Sequence, residues 1–129
     1  MNIGPFYFDT KEIFGKYPEV KLAYLFGSQA GETAGPMSDY DFAIYFDENT
    51  SKKRQFDIRL IIASNFSKIL KNNNVEVVVL NDDLEPLLKY QVIKNGKIIF
   101  EQKPYRLILE PKIYSEFFDY QVFSQLNNL

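Results

Sequence analysis

Asp39 and Asp41 stand one residue apart in "SDYDFAIYF" (38–46), among side chains that belong in a core. Successive side chains of an extended segment point to opposite faces, so the two carboxylates share one face while Tyr40, Phe42 and Ile44 take the other. Two strand rises put their Cα atoms about 6.6 Å apart, close enough for both acids to converge on one or two hard divalent cations. The same acids could instead make turn hydrogen bonds beside Ser38 or lie on a solvated sheet face. Upstream, Gly27-Ser28 closes the apolar run "KLAYLFG" (21–27). A glycine and a hydroxyl at the start of a helix offer free backbone N–H groups and an O–H, the arrangement that holds a phosphate. A third carboxylate, Glu76, interrupts "VEVVVL" (75–80). Such a charge is costly in a strand covered on both faces unless it is exposed, paired or bound to metal. A Glu that reaches solvent at a strand end, or pairs with a Lys, is the plainer account. Asp82 and Asp83 compete for the role of third acid, although helix capping explains Asp82, and Asp47 and Glu48 fit a loop.

These groups need strands to hold them, and the pattern supplies candidates. A short helix is expected over 9–17, capped by Asp9 or Thr10 and presenting Ile13 and Phe14. "KLAYLFG" is a strand, 28–33 a helix capped by Ser28, and 38–46 a second strand after a Gly- and Pro-containing loop. Residues 51–71 place Ile58, Ile61, Ile62, Phe66, Ile69 and Leu70 at helical spacing. "VEVVVL", β-branched and apolar on both faces, is expected to be a central strand covered by helices. "NDDLEPLLKYQVI" (81–93) suggests a helix with Asp82 as cap and Glu85 as its capping-box partner. Asn95-Gly96 marks a turn and "KIIF" (97–100) a fourth strand. The order βαβαβαβ, with the first two strands antiparallel or mixed, argues for an α/β (α+β) domain: a small mixed β-sheet flanked by helices. One domain, 1–129, is expected, with 103–129 a C-terminal helical tail whose helix starts near Pro111. Its aromatics Tyr114, Phe117, Phe118, Tyr120 and Phe123 point in too many directions for one stripe. They are either wrapped onto the domain or form a docking surface for a homo- or hetero-oligomer.

Composition narrows the chemistry. With 129 residues, 46% hydrophobic and 25% charged, the chain is of single-domain size and globular character. It has no cysteine and no histidine, which excludes disulfides, most zinc sites and imidazole or thiolate catalysis. Carboxylates, hydroxyls, Lys and Arg are left. A net charge of -2 gives no basic footprint for direct nucleic-acid binding. No leader pattern and no apolar run long enough for a membrane span is visible, so a cytoplasmic location is expected.

Gly27-Ser28, ten intervening residues and then Asp39-x-Asp41 resemble the G-S-x10-D-x-D signature of the nucleotidyltransferase superfamily that includes DNA polymerase β. The small size, the acid-bearing strand at 75–80 and "VIKNGKIIFEQKPYRLILE" are similar to the minimal nucleotidyltransferases, in particular the MntA-like antitoxins paired with HEPN-domain toxins. That resemblance implies the nucleotidyltransferase fold, triphosphate binding by Gly27 and Ser28, and two Mg²⁺ ions held by Asp39 and Asp41. Glu76 falls at the family's third, catalytic acid, where Asp is usual, and Gln29 stands where many relatives have Arg. It further implies transfer of AMP from ATP to a tyrosine hydroxyl of a HEPN-domain RNase partner, silencing it. An alternative is an antitoxin of weak activity that neutralises by binding through its aromatic tail. A third reading, transfer to a small molecule, fits less well because such relatives carry an additional acceptor-binding domain.

Overall fold

A computed structural model describes residues 9–27 and 40–127, together with the backbone of two short paired strands, β1 (Asn2–Ile3) and β2 (Phe6–Tyr7). Helix α1 (Thr10–Phe14) is capped as expected: Asp9 accepts the Lys11 N–H at 2.9 Å. A four-stranded sheet follows, built from β3 (Val20–Phe26), β4 (Tyr40–Phe46), β5 (Val75–Val79) and β6 (Lys97–Glu101) in the order β5-β4-β3-β6. β3 pairs antiparallel with both β4 and β6, and β4 pairs parallel with β5. The mixed sheet expected from the element order is what forms.

Helix α2 (Lys52–Leu70) connects β4 to β5, as a parallel pair requires a crossover. Ser51 starts it by accepting the Arg54 N–H at 3.1 Å. Ile58, Ile62, Phe66 and Leu70 recur at helical spacing and pack on one sheet face against Phe14, Phe42, Ile44 and Phe46. Phe42 stacks on Phe66 with ring centroids 4.0 Å apart. Each such fully buried side chain contributes roughly 1.5–3 kcal/mol. Helices α3 (Pro86–Asn95) and α4 (Tyr105–Leu126) cover the other face, where Leu22, Tyr24, Ala43 and Tyr45 meet Val92, Leu109 and Ile113.

Three expectations are corrected. "VEVVVL" is an edge strand of the sheet, with β4 on one side only, so Glu76 is exposed and its burial is not what demands a partner. The capping box at 82–85 does not form. Glu85 occupies the N-cap without a side-chain bond and Pro86 begins α3, its fixed φ and missing N–H being suited to a first turn. Asp82 is bound elsewhere, to Lys52 at 3.2 Å. Finally, the C-terminal helix begins at Tyr105 rather than near Pro111, with Pro111 inside it. At the seventh position Pro111 lies past the four N–H groups that a helix start leaves free, so α4 forgoes the bond to Leu107 O there and continues through it.

Candidate active site

β3 ends at Gly27, whose φ of +75° is a left-handed conformation that glycine adopts without penalty. Glycine is needed there for a second reason: a Cβ on it would land on the carboxylate of Asp41. The sheet register explains the approach, since Phe26 lies opposite Asp41 across the β3–β4 ladder. On its other side Asp41 is in register with Glu76 of β5. Three of the five residues singled out in the sequence are thus brought together, Asp41 and Glu76 by strand pairing and Gly27 as the residue after Phe26. Ser28, Asp39, Gln29 and the helix expected over 28–33 lie outside the described residues.

Alternation along β4 is as the sequence requires. Tyr40, Phe42, Ile44 and Phe46 face the α2 core, and Ala43 and Tyr45 face α3 and α4. Asp41 belongs to the second set by periodicity, at the end of the strand where those helices no longer cover the sheet. Asp41 is half-buried and Glu76 exposed. Together with Asn73, Asn74 and Val75 they line a depression of about 200 Å³. The turn that brings the asparagines there follows α2, which ends on Lys71 with φ 51°. Asn72 then accepts the Asn74 N–H at 2.7 Å, and Asn74 O receives the Tyr40 N–H at 2.9 Å. Sequence reasoning passed over these two amides; the signal was the run Asn72-Asn73-Asn74 immediately before the acid-bearing strand.

Among the described residues no group of three metal-ligating side chains converges. Two of the three acids of the candidate set do lie side by side, and their donors are carboxylate oxygens of the kind hard cations prefer. Such donors suit a cation like Mg²⁺, and Asp39 lies outside the described residues. Of the other acids considered, Asp82 and the loop acids Asp47 and Glu48 are engaged elsewhere. Asp82 and Lys52 form an exposed pair, Asp47 accepts the Asn49 N–H in a turn, and Glu48 accepts the Tyr45 hydroxyl at 2.6 Å.

A second polar cluster had no sequence signal. Tyr24, buried on β3, donates its hydroxyl to Glu110 at 2.7 Å, and Arg106 donates to the same carboxylate oxygen at 2.8 Å. Burial, then the neighbouring carboxylate, pushes the Tyr24 phenol well above its usual range. The cluster ties α4 to the sheet. Farther along α4, Phe117 is buried and stacks on Tyr90 at 4.0 Å, whereas Phe118, Tyr120, Phe123 and Leu126 are exposed. The aromatic tail is therefore only partly folded onto the domain. Among the described residues no helix is long and apolar enough to cross a membrane.

A glycine-ended strand against an acid-bearing one, with a third acid on the next strand, defines a nucleotidyltransferase arrangement, and residues 9–105 match the family model "Polymerase beta, Nucleotidyltransferase". The chain belongs to that family. It is 30% identical over 92 residues to the protein adenylyltransferase MntA of Aphanizomenon flos-aquae (strain 2012/KM1/D3), a match spanning 67% of this chain and 61% of that protein. Among solved structures, it is similar to a toxin–antitoxin with AMP-PNP, with a TM-score of 0.73, 23% identity and coverage of 92% of this chain and 91% of that one. It is likewise similar to the complex of a tri-AMPylated Shewanella oneidensis HEPN toxin with its MNT antitoxin, with a TM-score of 0.67, 21% identity and coverage of 91% and 87%. These likenesses establish the nucleotidyltransferase fold.

Proposed function

We propose that this chain is an antitoxin that transfers AMP from ATP to a tyrosine hydroxyl of a HEPN-family toxin, silencing the toxin by the added charge and bulk. The observation that carries the reading is the row of pairing Phe26–Asp41–Glu76, with Gly27 following Phe26 and closing on the Asp41 carboxylate. The named activity of the MntA relative and the AMPylated partner in the Shewanella complex support the substrate and acceptor assigned here.

In this reading Gly27 and Ser28 present backbone N–H groups and a hydroxyl to the triphosphate. Asp39, Asp41 and Glu76 hold Mg²⁺, which when bound neutralises phosphate charge and lowers the pKa of the incoming hydroxyl. The tyrosine oxygen attacks the α-phosphorus. A new oxygen–phosphorus bond forms, the bond to the bridging oxygen of pyrophosphate breaks, and pyrophosphate departs. Glu76, exposed and in register with Asp41, takes the phenolic proton. The half-buried Asp41 is held still by its strand, because Tyr40 and Phe42 on either side are locked in the core.

The test is to incubate the chain and its HEPN partner with ATP radiolabelled at either the α- or the γ-phosphorus. Label on the partner from the α position alone supports nucleotidyl transfer. Label from the γ position, or from neither, contradicts it.

The exposed half of α4 favours a second reading, neutralisation by binding. It predicts that Phe118→Asp with Phe123→Asp abolishes protection from the toxin while Asp41→Asn leaves it intact. Phe117 has no place in that test, since it belongs to the core.

A further inference from the structure

The outer edge of β5 borders a groove of about 380 Å³ whose other wall is α2. Glu76 lines this groove and also the depression that holds Asp41, so the two adjoin at that side chain. The main chain of β5 is turned toward β4 at Asn74 and Leu80, which accept from Tyr40 N–H at 2.9 Å and donate to Ile44 O at 2.8 Å. By the alternation of a parallel ladder, Val75, Val77 and Val79 then direct their N–H and C=O groups outward, along the groove.

That edge is lightly defended. The opposite edge strand, β6, carries exposed Lys97 and Glu101 at its two ends, and charges on an edge discourage pairing with another chain. β5 has one charge, Glu76, and neither Lys nor Pro. Of its outward carbonyls, Val77 O is lightly held, by Arg59 Nη1 at 3.5 Å, the outer limit of a hydrogen bond, whereas Val79 O accepts the Asp82 N–H at 3.1 Å. The opposite wall offers Phe56, 52% exposed, with the Arg59 guanidinium 5.2 Å from its ring centre. At the floor, Gln55 is only 4% exposed; its amide nitrogen donates to Thr50 O, and its Oε1 is buried with no hydrogen-bond partner.

We propose that this groove seats an extended segment of the acceptor protein as an added strand on β5, delivering its hydroxyl past Glu76 to the α-phosphorus. The proposal rests on the function assigned above. Strand addition uses main-chain bonds for affinity and alternate side chains for selectivity, and Phe56 is the anchor on the groove wall. A residue paired beside Glu76 shares its face of the sheet, and its side chain is close enough to present a hydroxyl there.

The experiment measures binding of the HEPN partner to the whole chain without ATP, by calorimetry and by hydrogen exchange of the Val77 and Val79 amides. Partner addition is expected to slow exchange at both amides. Phe56→Asp is expected to weaken binding at least about tenfold, as for a central aromatic anchor. It should raise the acceptor KM in parallel and leave the KM for ATP unchanged. Arg59→Ala, remote from the core, is the check should Phe56→Asp lower the melting temperature. Unchanged exchange at Val77 and Val79 with partner bound, or unchanged affinity in both variants, would overturn the proposal. If the wild-type chain binds its partner and transfers no AMP, the functional reading falls, and the binding and exchange results still decide the docking.

Discussion

The two ends of the β4–β5 pair are built oppositely. At one end Asn81 acts as a substitute strand, accepting the Phe46 N–H at 2.8 Å and donating to Phe46 O at 2.9 Å, so the main chain is closed by an internal clamp. At the other, the ladder ends with Asp41 and Glu76 side by side over an open depression. Between them lies the same apolar strand, rigid because Phe42, Ile44 and Phe46 are fully buried. Stability is concentrated in the middle and at the clamped end, and chemistry is displayed at the end where helices stop covering the sheet. A site placed there can hold charged groups without the desolvation cost they would meet a few residues further in.

That contrast can be broken from either end. Removing the shared anchor has the largest expected effect. Phe42→Ala leaves a cavity against Phe66 and is expected to cost about 3–5 kcal/mol, measured by urea unfolding. Activity should fall with the folded fraction. Next comes Asp41→Asn, isosteric and half-buried, for which AMP transfer is expected to drop by at least about 10²-fold with the melting temperature nearly unchanged. A matching loss of stability would mean that Asp41 is structural. At the clamped end, Asn81→Ala is expected to destabilise by about 1–3 kcal/mol, because it leaves both polar groups of Phe46 without their partner. The KM for ATP should stay the same.

The smallest effect concerns pH. Tyr24 and Tyr45 are both held above the usual phenol range, first by burial and then by Glu110 and Glu48. A raised folded pKa gives stability that is whole below the unfolded phenol value of about 10 and is lost as pH rises beyond it. Alkaline unfolding should therefore begin near that pH. Tyr24→Phe, followed by circular dichroism, should move the transition to higher pH, while costing about 1 kcal/mol at neutrality through the lost hydrogen bond to Glu110.

Much of this arrangement was legible in the sequence because it depends on local periodicity. The alternation that sends Tyr40 and Phe42 one way and Asp41 the other needs only a strand, and the α2 stripe needs only a helix. The position of β5 did not follow, since "VEVVVL" carries the signature of a covered strand and its place at an edge is set by which strands pair. The start of α4 lies upstream because the helix runs through Pro111, a residue whose missing N–H reads in sequence as a helix start. Asp82 was taken for a cap on a four-residue spacing that Pro86 overrides. The Tyr24, Glu110 and Arg106 cluster spans residues 86 positions apart at its widest hydrogen bond and carries no local mark.

The central claim is that the acids at the open end of β4 and β5 transfer a nucleotide to a protein hydroxyl. It is tested most directly by intact-mass measurement of the HEPN partner after co-expression with the wild-type chain or with Asp41→Asn. The account predicts a gain of one or more adenylyl units with the wild type and an unmodified partner with the variant. An unmodified partner with the wild type, or the same gain with Asp41→Asn, would contradict it.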